Sequence, residues 1–122
     1  MYITEEAVNR TLAFVRYHSG PGSRIAFDFL YKSVIQGKFP YDGAKELTEI
    51  AKKGGEALRF GIEEGEIEEF LTSQGFTPLV HYSPQLFEAK YLYDNKGEFF
   101  GRMYGFASNV LAETDAIKNN NF

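Results

Sequence analysis

The 122-residue sequence has no cysteine, no tryptophan and only two histidines, His18 and His81. Without thiols there is no disulfide framework, no thiolate metal site and no cysteine nucleophile. Two histidines so far apart make a histidine-built metal centre a poor expectation, so no metal is expected. No apolar run reaches the length of a membrane span, and the first residues lack the basic-then-apolar order of a secretory leader. The expectation is a cytoplasmic protein with no membrane partner. Positive charge is also short. Thirteen Lys and Arg against seventeen Asp and Glu leave a formal net charge of −4, which speaks against a nucleic-acid partner. Aromatic residues, by contrast, are plentiful: twelve Phe and eight Tyr. They imply a Phe-rich core, with the remainder free to line a pocket or an interface. The length suits a single domain, expected over residues 1–117, with a frayed tail over 118–122.

Thr4 followed by Glu5 and Glu6 is a helix start, a hydroxyl cap with acids against the positive end of the helix dipole. Val8, Leu12 and Val15, with Ala7, Thr11 and Phe14 beside them, make an apolar stripe at helical spacing. Gly20-Pro21 stops that helix. A strand follows over residues 24–32, so apolar from Ile25 to Tyr31 that it calls for cover on both faces and a strand on each edge. Residues 34–41 read as an irregular connection. Asp42 then caps a helix whose Ala44, Leu47, Ile50 and Ala51 share a face, broken by Gly54-Gly55. Arg59 to Ile62 is a short extended piece. A third helix is expected over 63–74, with Ile67, Phe70 and Leu71 inward and Gly75 as its terminator. Its glutamates crowd the N-terminal half, a solvated face well placed against the dipole more than a pair of catalytic carboxylates.

Phe76 to Tyr82 is the second strand, with Pro78 near its start. Ser83-Pro84 opens a short helix through about Tyr91, Asp94 to Gly97 is a turn, and Gly105 to Glu113 is the third strand. Long helical crossovers separate the first two strands, which should run parallel to one another. The third follows a short helix and a turn, so it is free to run antiparallel. Three strands cannot cover both edges of the first, and an exposed apolar edge invites a neighbour.

Four segments in order, Met1 to Val8, Ser19 to Phe29, Arg59 to Ile62, and Glu66 to Leu71 with Gly75-Phe76, resemble the C-terminal half of the leucine carboxyl methyltransferase-like group of S-adenosylmethionine-dependent O-methyltransferases. The similarity runs over about residues 1–92. It implies an α/β fold that is the C-terminal half of a Rossmann-like methyltransferase, with about four helices and a three-stranded mixed sheet. The strand order would be 1-3-2, with the last strand antiparallel between the other two. Enzymes of this fold hold their cofactor with a Gly-rich turn after the first strand of the sheet. This sequence has no such turn. Gly20-Pro21-Gly22 precedes a strand and Gly54-Gly55 follows a helix. S-adenosylmethionine is thus the family's cofactor and is not expected to bind this chain alone.

No catalytic residue is assigned. Six residues are candidates for a substrate or cofactor cleft. Tyr2 occupies a position similar to a site tyrosine of the family. Asp28 and Tyr31 lie toward the C-terminal end of the first strand, where open α/β sheets bind ligands. A carboxylate in an apolar strand needs a partner, so Asp28 is either a structural acceptor or a cleft residue. Arg59 is placed to pair with Asp28 or with a substrate carboxylate. Arg102 and Tyr104 resemble an Arg-x-Tyr of some relatives. These residues would orient an acceptor, since methyl transfer to a carboxylate needs in-line positioning above all.

Three functions compete on this reading. The first is the substrate-side half of a methyltransferase, inactive without a complementing N-terminal half. The second is a non-catalytic homodimer or partner-binding module that uses the exposed edge of strand 24–32. The third is a small binding module for an acidic metabolite, through Arg59 or Arg102.

Overall fold

A computed structural model describes residues 2–38, 40–41 and 43–115. The expected Asp42 cap and the tail over 118–122 lie outside these residues. Eight elements follow one another: α1 (Glu5–His18), β1 (Arg24–Leu30), α2 (Lys32–Ile35), α3 (Ala44–Lys53), α4 (Ile67–Ser73), β2 (Phe76–Tyr82), α5 (Pro84–Tyr91) and β3 (Ala107–Thr114).

Local chemistry sets most of the boundaries. The Thr4 hydroxyl accepts a hydrogen bond from the Ala7 amide (3.2 Å), and the Ser83 hydroxyl accepts one from Leu86 (3.2 Å) with Pro84 at the first helical position. Each cap satisfies an amide that the helix cannot. Gly75, at φ +87°, ends α4 as expected. The start of α4 differs from the expected 63–74. Gly65 adopts φ +88°, a left-handed turn that cannot be part of an α-helix, so the first regular turn begins at Ile67. The expected end of the first strand and the start of the irregular connection instead form α2, a single turn over Lys32–Ile35 followed by Gly37 at φ +82°. The helices therefore number five among the described residues, one more than expected.

Two apolar side chains assigned inward face out. Phe14 is 63% exposed and Ile50 is 67% exposed. Phe14 lies about 200° round the helix from buried Leu12, and Ile50 about 90° from the mean direction of Ala44, Leu47 and Ala51. Each lies outside the arc that the core can cover.

β3 runs between β1 and β2, giving the order β1-β3-β2, and pairs antiparallel with both. β1 and β2 point the same way, as the crossovers require, but do not pair with one another. Both ladders are therefore antiparallel, and the sheet is not mixed. In register, Phe27 faces Val110 and Phe29 faces Ser108 on one ladder, and His81 faces Val110 on the other. A bulge between Pro78 and Val80 absorbs the missing amide of Pro78. Along β3, Ser108, Val110, Ala112 and Thr114 are buried, while Asn109, Leu111 and Glu113 remain half-exposed. The buried face joins Phe76, Leu12, Ile67 and Leu71 in the core. The Thr114 hydroxyl reaches back to the Gly20 carbonyl (3.0 Å), tying the end of β3 to the turn before β1.

β1 departs from the expected cover on both faces and both edges. Arg24, Ala26 and Asp28 are exposed, Ile25 and Phe27 half-buried, and only Phe29 and Leu30 buried. Among the described residues, its outer edge meets backbone only at its end, where Tyr31 forms a parallel bridge to Ile62. Gly61 permits that approach, because a Cβ there would sit 2.9 Å from the Lys32 Cα and 3.0 Å from the Leu30 carbonyl oxygen. No helix among the described residues is long and apolar enough to cross a membrane.

Candidate functional site

The C-terminal end of β1 and the segment leading into β3 meet at the same end of the sheet, because the two strands are antiparallel neighbours. A cavity of about 430 Å³ opens there. Leu30, Leu47, Phe106 and Ala107 give it an apolar floor, and Tyr2, Asp28, Arg102 and Tyr104 supply its polar groups. Four of the six sequence candidates thus line one cleft, at the strand end where open α/β sheets bind ligands.

Two supports position this cleft. The Tyr104 ring stacks on Phe106, with centroids 4.9 Å apart, and lies over Gly43. A Cβ at Gly43 would come within 2.6 Å of Tyr104 Cδ1, and its φ of +82° also favours glycine. The loop beside Tyr104 is held from α5, where Glu88 Oε1 accepts a hydrogen bond from the Met103 amide (2.7 Å). Arg102 borders both the cleft and a neighbouring cavity of about 370 Å³ lined by Glu88, Met103 and Gly105.

The other two candidates lie elsewhere. Tyr31 is 3% exposed, and its hydroxyl bonds to that of Ser108 at 2.8 Å. Burial, only partly offset by that hydrogen bond, raises its pKa above the ordinary phenol value. Arg59 is exposed on the extended piece before Ile62 and does not line the cleft. It forms no ion pair with Asp28: among the described residues the only ion pair is Arg10 to Glu6, at 3.0 Å. Asp28 is accordingly a cleft-edge carboxylate with no side-chain partner among the described residues.

Glu88 and Gly43, which support the cleft, and Ser108, which holds Tyr31, were not singled out from sequence. Glu88 sits among ordinary helix-surface residues, and nothing local marks Ser108 as the partner of a tyrosine 77 positions away. The glutamates Glu63, Glu66 and Glu69 border a separate open cavity of about 320 Å³ with Glu5 and Lys32. Among the described residues, no group of three His, Cys, Asp or Glu side chains is disposed to hold a metal ion.

The cleft holds one anion, one cation and two phenols on an apolar floor. Among the described residues, no side-chain hydrogen bond links two of these groups. The two strand-to-helix junctions, Tyr31 after β1 and Ser83 after β2, contain no glycine, and Pro84 removes an amide at the second. Of the left-handed glycines, Gly22 lies just before β1 and Gly43 is the N-cap of α3. No protein family, curated protein or solved structure matches the chain.

Proposed function

We propose that this chain is the substrate-side half of an S-adenosylmethionine-dependent O-methyltransferase of the leucine carboxyl methyltransferase-like group, catalytically incomplete by itself. The observation that carries the reading is the meeting of Tyr2, Asp28, Arg102 and Tyr104 in one cleft beside a strand edge that, among the described residues, is bridged only at Tyr31. The strand order β1-β3-β2, with an antiparallel strand inside, supports it. So does the absence of a glycine-rich turn at either strand-to-helix junction.

In this reading the cofactor half completes the sheet along the free edge of β1. Arg102 then orients the carboxylate of the methyl acceptor, and the phenols of Tyr2 and Tyr104 set its angle. S-adenosylmethionine held by the cofactor half would supply the methyl group to the acceptor oxygen and leave as S-adenosylhomocysteine, so this chain would need no nucleophile of its own.

Two titrations of the isolated chain test this. Calorimetry with S-adenosylmethionine should show no binding up to about millimolar concentration; tighter binding would refute the incomplete site. NMR titration with a short peptide ending in a free carboxylate should shift Arg102 and Tyr104, whereas the same peptide amidated should not. Equal response to the two peptides would remove the substrate-side reading.

A further inference from the structure

β1 carries its two charges, Arg24 and Asp28, four residues apart on one face with Ala26 between them, and all three are exposed. The direction of its backbone is set at its end. The Tyr31 amide donates to Phe106 on the β3 side (2.8 Å). The Leu30 carbonyl and the Lys32 amide bond to Ile62 on the opposite side, at 2.9 and 3.1 Å. Backbone groups alternate sides along a strand. The amides and carbonyls of Arg24, Ala26 and Asp28 therefore point away from β3, on an edge with no Pro, Lys or bulge to block pairing.

We propose that a second copy of this chain pairs antiparallel along this edge, with Ala26 opposite Ala26 of the second copy at the two-fold axis. Outward-pointing residues must face outward-pointing residues, and three symmetric registers pair five or more residues of β1: those centred on Ala26, Phe27 or Asp28. Centring on Asp28 opposes two carboxylates. Centring on Phe27 opposes Arg24 to Leu30, whose carbonyl Ile62 already occupies. Centring on Ala26 opposes Arg24 to Asp28 of the second copy twice, once on each side of the axis. The small Ala26 side chains let the strands meet between these pairs.

The same register stacks Ile25 on Phe27 of the second copy on the opposite face. That face is half-buried and borders an apolar groove of about 220 Å³ between β1 and α1, with Val8 and Leu12 in its wall. Arg24 is available for the pairing. Glu113 is its register partner across the inner ladder but makes no ion pair with it. The inference stands on the charge order and direction of β1 and does not need the methyltransferase reading. Because the second copy takes the edge that a cofactor half would use, the two occupants exclude one another.

Sedimentation equilibrium across micromolar to millimolar concentration tests the pairing on four proteins: the wild type, Arg24→Asp, Asp28→Arg, and the double swap Arg24→Asp/Asp28→Arg. The wild type should dimerise. Each single reversal should weaken the dimer by about tenfold or more, since it turns two attractive pairs into repulsive ones. The double swap should restore it. Far-UV circular dichroism should be unchanged throughout, because both residues are exposed. In the wild-type dimer, the amides of Arg24, Ala26 and Asp28 should gain hydrogen-exchange protection. A wild type that stays monomeric, a dimer indifferent to the single reversals, or a double swap that fails to recover would each overturn the proposal.

Discussion

The buried bond between Tyr31 and Ser108 offers the sharpest test of how this fold is held together. Ser108 has no exposed surface and Tyr31 is 3% exposed, so neither hydroxyl can turn to bulk water when the other is removed. Tyr31→Phe keeps the ring and its edge contact with Phe29, at 6.2 Å between centroids, and deletes one oxygen. It should cost about 1.5–2 kcal/mol: a net hydrogen bond plus the desolvation of the stranded Ser108 hydroxyl. For a chain of this length that lowers the melting temperature by about 5–10 °C. Ser108→Ala should cost a similar amount. The double variant strands neither group, and its loss should fall short of the sum of the singles by about 1–2 kcal/mol.

Urea unfolding followed by far-UV circular dichroism measures all four proteins under one protocol. Single variants within about 0.5 kcal/mol of wild type, or a strictly additive double variant, would refute the reasoning. A pH arm reads the same pair independently. Burial raises the Tyr31 pKa above its unfolded value of 10.0, so above that pH the unfolded chain gives up a proton that the folded chain keeps. The stability tied to this proton is present below the unfolded value and is lost as pH rises through the folded one. Wild type should therefore lose stability more steeply than Tyr31→Phe at alkaline pH, and parallel curves would contradict the assignment.

Two further substitutions probe the supports of the cleft and a helix end. Gly43→Ala imposes a left-handed backbone on alanine and drives its Cβ into the Tyr104 ring. It should cost about 1–3 kcal/mol and shift the aromatic NMR signals of Tyr104 and Phe106; an unchanged Tyr104 would place the ring away from Gly43. Ser83→Ala removes the cap of α5 and should destabilise by about 1 kcal/mol in the same urea assay, with Ser83→Thr recovering most of it; equal stability of all three would show that the cap is idle.

Features governed by neighbours in sequence were legible before the structure. Ser83-Pro84 announced α5, Thr4 announced α1, and Phe76 to Tyr82 marked β2 at its true ends. Features set by direction were less so. Ile50 and Phe14 are apolar, but a helix buries only one arc of its surface, and side chains about 90° or more from the centre of that arc face solvent. Gly65 was invisible as a helix boundary because the glutamates around it continue a helical composition. The cleft lay in between. Asp28, Arg102 and Tyr104 stood out individually, but that Tyr2 and Leu47 border the same space follows only from how α3 and the N-terminal segment pack around β1 and β3.

The amino-acid order alone determined where this chain changes conformation, because caps, left-handed glycines and proline act over one turn of backbone. It also determined that Ile25 to Tyr31 is too apolar to stand as an isolated strand. Tertiary structure decided which neighbours that strand has. The insertion of β3 between β1 and β2 brings Ser108 to Tyr31 and Tyr104 to the end of β1. It also leaves Arg24, Ala26 and Asp28 presenting their backbone outward. Those outcomes depend on pairings between residues dozens of positions apart, whose energy exists only once the sheet is closed on one side and open on the other.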